Sequence, residues 1–148
     1  MKQELLDEIV NLLNSDGTNY SIFLRFYEVP STADGDARSY ICEALGSGAS
    51  VGGIDEIEVA EVKVEIENLI LYAGDNGAGP DASILNSSKL AEMIASLKVE
   101  LSQLASEAQK IERFWLNDGH PAYPVFWDFA FLFTGVDKAT MFIGSSSD

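Results

Sequence analysis

The sequence predicts an α+β fold: an antiparallel sheet with a long amphipathic helix packed on one face, and a short N-terminal helix. Three observations carry that expectation. Leu90, Ile94, Leu97, Leu101, Leu104, Ala108, Ile111 and Trp115 recur at an unbroken 4-3 spacing, the mark of one helix face. From Val125 to Phe133 the residues alternate, with Val125, Trp127, Phe129, Phe131 and Phe133 on one side and Phe126, Asp128, Ala130 and Leu132 on the other. Both sides are mostly apolar, which suits a central strand covered on each face. Finally, Ser21 to Val29 is rich in β-branched and aromatic residues and stops at Pro30, as a strand does. With no repeat and no linker in the sequence, residues 1–148 are expected to form one domain.

Lys2 to Asn14 forms the first helix in this reading. Leu5, Leu6, Ile9, Val10, Leu12 and Leu13 make a wide apolar face, and Asn14-Ser15-Asp16-Gly17 ends it. After the strand at 21–29, Ala37 to Leu45 suits a short helix, and Gly46 to Gly53 is expected to be a flexible turn or loop. In Ile54 to Tyr72 two patterns compete. Val62, Val64 and Ile66 alternate with Lys63, Glu65 and Glu67 as in a strand, with a bulge near Ala60-Glu61 to reconcile Ile57 and Val59. A helix would group Val59, Val62, Ile66, Leu69 and Ile70 instead; β-branched density decides for strand.

Gly74 to Pro80 breaks regular structure, and Asn86 or Ser87 caps the long helix, expected over 88–116. Those 29 residues would measure about 43 Å at 1.5 Å each, against a domain diameter of roughly 38 Å. The helix must therefore span the molecule, bend, or pair its seam with a second copy. Met93, Ala91, Ala105 and Phe114 widen the stripe beyond a coiled-coil seam, which favours packing on a sheet. Thr134 to Lys138 is a turn, Ala139 to Ile143 a returning strand, and Gly144 to Asp148 a fraying tail.

Charge is unevenly placed. The chain has 24 acids against 9 Lys and Arg; residues 1–81 hold 16 acids and 4 bases (net −12), and residues 82–148 hold 8 and 5 (net −3). From Glu28 to Glu67 there are 10 acids and 2 bases. Such a field repels nucleic acid and anionic membrane and speeds encounter with a basic partner. No apolar run approaches the roughly 20 residues that span a bilayer. The lone Cys42 makes no internal disulfide, and MKQELLDEIV lacks a basic segment followed by an apolar one, so a reducing cytoplasm is expected.

Motifs with chemistry are weak. Gly48-Ala49-Ser50-Val51-Gly52 matches Gly-x-Ser-x-Gly, but no apolar strand precedes Ser50. His120 is the only histidine, so zinc-type spacing is absent, and a Cys42–His120 pair would depend wholly on the fold. Asp34 and Asp36, like Asp75 and Asp81, do not complete a calcium loop. Glu56/Glu58 and Glu65/Glu67 would lie about 6.6 Å apart on a strand, a spacing that could serve glycoside hydrolysis, although a solvated strand face explains them with fewer assumptions. Phe114 to Phe133 holds 8 of the 15 aromatics, which on an acidic protein points to core rather than base stacking. No catalytic residue, metal or cofactor is expected.

The leading expectation is a small acidic binding module of the cytoplasm. In its most concrete form it is an immunity or inhibitor protein covering the cationic cleft of a basic toxin such as a nuclease. Asp55, Glu56, Glu58, Glu61, Glu65 and Glu67 would carry it, with Asp34 and Asp36 next. One alternative is a small-molecule binder or enzyme with a pocket between the long helix and the sheet, lined by Trp115, His120, Tyr123 and Trp127. Another is a subunit that self-associates through the 90–115 helix face.

Overall fold

A computed structural model describes residues 2–15, 19–74 and 78–147. Among these residues, five antiparallel strands form one sheet in the order β1-β5-β4-β3-β2. In chain order the elements are α1 (Gln3–Leu13), β1 (Ser21–Pro30), α2 (Ala37–Leu45), β2 (Ser50–Glu56) and α3 (Val59–Ile70). A single turn α4 (Ala82–Leu85) leads into the long helix α5 (Ser88–Glu107), which is followed by β3 (Ala108–Asp118), β4 (Trp127–Gly135) and β5 (Lys138–Ser147). The α+β class and the long helix on the sheet are as the sequence predicts.

The sheet carries apolar clusters on both faces. Leu6, Ile9 and Leu13 of α1, Val62, Ile66 and Ile70 of α3, and the stripe of α5 meet Trp127, Phe129, Phe131, Phe133 and Phe142 on one face. On the other, Tyr40 and Ile41 of α2 cover Phe114, Ala130, Leu132, Met141 and Ile143. β4 is thus the central strand that its two apolar sides require, and Phe131 is wholly buried. Its rings interlock: Phe129 stacks on Phe131 with centroids 5.5 Å apart and meets Phe142 edge-on at 4.8 Å. At the β1 edge, the Gln3 side chain donates to the Leu24 carbonyl at 3.0 Å and accepts from the Phe26 amide at 3.0 Å, occupying backbone groups that an edge strand leaves open.

Three expectations are corrected. The long helix stops at Glu107, where Ala108 turns to extended backbone (φ −87°, ψ 141°), and 108–118 pairs as a strand with both β2 and β4. The 4-3 spacing of Ala108, Ile111 and Trp115 is coincidental, because in a strand Ile111, Arg113 and Trp115 simply share a side. Next, 59–70 is a helix: Val62, Ile66 and Ile70, spaced by four, are buried at 0–2% exposure, and the Glu61 carboxylate accepts the Glu58 amide at 3.1 Å to start it. Burial of that stripe outweighs the strand preference of its β-branched residues. Last, two Gly/Ser-rich stretches that favour loops locally are strands: Ser50–Gly53 pairs with β3, and 144–147 lies between β1 and β4 with Ser145 and Ser146 at 1% exposure.

α5 buries Leu90, Met93, Ile94, Leu97, Leu101 and Leu104 against the chain's own sheet and neighbouring helices, so the apolar seam considered for a second copy is occupied within the molecule. Ser87 caps the helix as expected, its hydroxyl accepting the Leu90 amide at 3.2 Å. The expected stop at Asp16-Gly17, and Asp75 of the break at 74–80, lie outside the described residues. No helix among those residues is long and apolar enough to cross a membrane.

Candidate functional site

β2 is an edge strand, and its glycines allow close cover. A side chain at Gly53 would meet the Trp115 ring at 2.0 Å, so the indole of β3 lies directly over the Gly52-Gly53 backbone. Trp115 remains 44% exposed. The register places Asp55 opposite Arg113 and Glu56 opposite Glu112, which puts the two acids on opposite faces of the sheet. The chain then turns at Glu58 into α3. Its inner side is core; outwards, Glu61, Val64, Glu65 and Asn68 border an open groove of about 580 Å³ shared with Arg113. Val64 is 59% exposed on that groove.

The predicted acids therefore do not share one environment. Asp55, Glu56, Glu58 and Glu61 are exposed along β2 and the start of α3. Glu65 is ion-paired with Arg113 and Glu67 with Lys98, so both of those carboxylates have cationic partners from their own chain. Glu65 and Glu67 also sit on a helix and reach different partners, which removes the strand geometry behind a paired-carboxylate hydrolase. Asp34 and Asp36 stand at the start of α2, the helix that covers the opposite sheet face. Asp36 caps it, accepting the Ser39 amide at 2.8 Å, and these hydrogen bonds hold its carboxyl below the usual value.

The four residues expected around a pocket are spread apart. Trp127 is buried at 7% exposure, with its indole N–H donating to the Tyr20 hydroxyl at 2.8 Å. Tyr123 is 84% exposed. His120 is half-buried in the turn after β3, packed edge-on against Phe23 at 6.4 Å, with the Ala122 amide 3.0 Å from its Nδ1. The space between α5 and the sheet is filled by Leu97, Leu101, Phe131 and Phe133.

Cys42 is exposed on α2, its thiol 4.0 Å from the Ala49 carbonyl oxygen, while His120 engages Ala122 and Phe23. Ser50 opens a strand that follows a helix, the reverse of the strand-to-helix turn a nucleophile elbow needs. Among the described residues, no three His, Cys, Asp or Glu side chains gather as metal ligands. The feature that sequence reasoning missed is the apolar part of the site. The sequence puts Val64 in a strand and Trp115 in a helix; instead the helix α3 sets Val64 beside Glu61 and Glu65, and the pairing of β2 with β3 sets Trp115 on the same sheet face as Asp55.

Burial holds the His120 imidazole below its ordinary value of 6.5, against smaller opposing effects of the Ala122 backbone and Asp128. The unfolded chain therefore takes up this proton more readily than the folded one. The resulting stability is complete above pH about 6.5 and is lost as pH falls through the folded value. Urea unfolding should show this fall, a His120→Gln variant should flatten it, and the single imidazole should titrate below 6.5 by NMR. A titration above that value would contradict the burial.

No family model, curated protein or solved structure matches the chain.

Proposed function

We propose that the β2–α3 surface engages a basic protein, with Asp55, Glu58 and Glu61 steering it, Glu56 adding to the field from the other face of the sheet, and Val64 and Trp115 anchoring it. The observation that carries this reading is the combination: exposed Asp55 shares a sheet face with exposed Trp115 of the paired strand, and exposed Glu61 borders exposed Val64 on α3. Charge alone raises encounter rate, whereas residence needs desolvated anchors, and tryptophan is the side chain most enriched among them. Glu65 contributes less than the sequence suggests, because Arg113 already partners it. In its most concrete form the partner is a toxin whose cationic cleft these carboxylates occupy in place of phosphates. The single Cys42 supports action in a reducing compartment such as the cytoplasm.

The test is capture from the source lysate followed by association kinetics with the captured protein across salt concentrations. Asp55→Lys combined with Glu56→Lys leaves the start of α3 intact and inverts two charges, a net change of about four units. It should slow association by about tenfold or more and flatten the salt dependence, in line with electrostatic steering. Val64→Asp should instead speed dissociation. Unchanged kinetics in both variants would remove the proposal.

A further inference from the structure

A second place in the fold has the makings of a ligand site, away from the acidic surface. Where α5 ends, β3 begins and β4 turns into β5, a crevice of about 380 Å³ opens. That volume falls within the usual range for small-molecule sites. Leu104 and Phe133 supply apolar wall, Glu107, Asp137 and Lys138 supply charge, and Thr140 lines it at 1% exposure. Among the described residues the Thr140 hydroxyl oxygen is buried without a hydrogen-bond partner. An unpartnered buried hydroxyl is costly, and one that lines a cavity is a natural point for a ligand to satisfy.

The crevice is built before any ligand arrives. Ser31 pins the β4–β5 turn: its hydroxyl donates to the Gly135 and Val136 carbonyls at 2.7 and 2.9 Å, and its amide donates to the Asp137 carbonyl at 3.0 Å. Charge selects the ligand. The Lys138 ammonium is taken up by Glu28 at 3.2 Å, which leaves the exposed Glu107 and Asp137 to set the sign at the mouth. The adjoining crevice adds one base, Lys2, and one acid, Glu100, which offset each other.

We infer that this crevice binds a small amphipathic amine with a hydrogen-bonding group at its far end. Its ammonium rests between Glu107 and Asp137, its apolar body lies on Leu104 and Phe133, and its far polar group meets the Thr140 hydroxyl. Tyramine is a suitable probe because it carries all three parts. Phenethylamine lacks the far hydroxyl, and 3-(4-hydroxyphenyl)propionate replaces the cation by an anion.

Calorimetric titration of the full chain should show saturable tyramine binding at roughly millimolar Kd, as befits a ligand of this size. Phenethylamine should bind about five- to tenfold more weakly, the usual effect of one lost hydrogen bond, and the anion should not bind. Thr140→Val should abolish the preference for tyramine over phenethylamine, and Glu107→Gln with Asp137→Asn should abolish the preference for the amine. Amide shifts in the wild-type chain should centre on residues 104–108 and 133–140, a readout independent of whether any variant folds. No binding of tyramine, equal binding of the anion, or shifts centred elsewhere would overturn the inference.

Discussion

Phe131→Ala is expected to destabilise the protein by about 3–5 kcal/mol, the range for emptying a buried phenylalanine site. At roughly 2–4 °C per kcal/mol for a chain of this size, the melting temperature should fall by about 6–20 °C. Phe131 sits in the middle of the central strand, fully buried, opposite Phe142 in β5 and Arg113 in β3. Its ring stacks on Phe129, which in turn meets Phe142, so neighbours held by other rings have little freedom to collapse into the space. Val99→Ala is the matched control, an apolar truncation at a position 67% exposed on α5, and should change stability by less than about 0.5 kcal/mol. Urea denaturation of both variants decides it. Similar losses in the two would mean that β4 is not the central strand.

Gly119→Val is expected to cost about 2–4 kcal/mol, from two sources that local sequence reveals only in part. Gly119 has φ +82°, where a β-branched residue is strained. In addition, a Cβ there would come within 2.4 Å of the Gly48 carbonyl oxygen and 2.6 Å of the Ala49 Cα. Both are backbone atoms, so no side chain can swing aside, and the turn after β3 must move off the turn before β2. Hydrogen exchange should then rise first at amides of 50–56, with global stability measured in parallel. If exchange there is unchanged, the two turns do not touch as described. The same experiment bears on function, because the start of β2 sets where Asp55 and Trp115 stand relative to α3.

The acids and bases of the candidate site were all visible in the sequence, yet their arrangement was not. Glu65 and Glu67 resembled two more members of one anionic tract. They differ from Asp55 and Glu61 only because Arg113 and Lys98, 48 and 31 residues away in the chain, reach them. Those partners are long-range, and no local pattern announces them. Likewise Gly52-Gly53 looked like loop material, and it takes the indole of Trp115 to show why a strand there needs glycine.

The local pattern in the amino acids and the outcome agree for the helices at 3–13 and 37–45, the strand at 21–30, the capped start of α5 and the β4–β5 hairpin. A periodic apolar face, or a Gly- or Pro-marked end, leaves few competing ways to bury those residues. Tertiary structure decided the rest: that 59–70 coils, that α5 hands over to a strand at Ala108, and that 144–147 is held rather than frayed. In each of these the local preference was weak or pointed the other way. The segment settled where backbone hydrogen bonds and apolar burial from distant elements were available together, and that availability is a property of the assembled sheet.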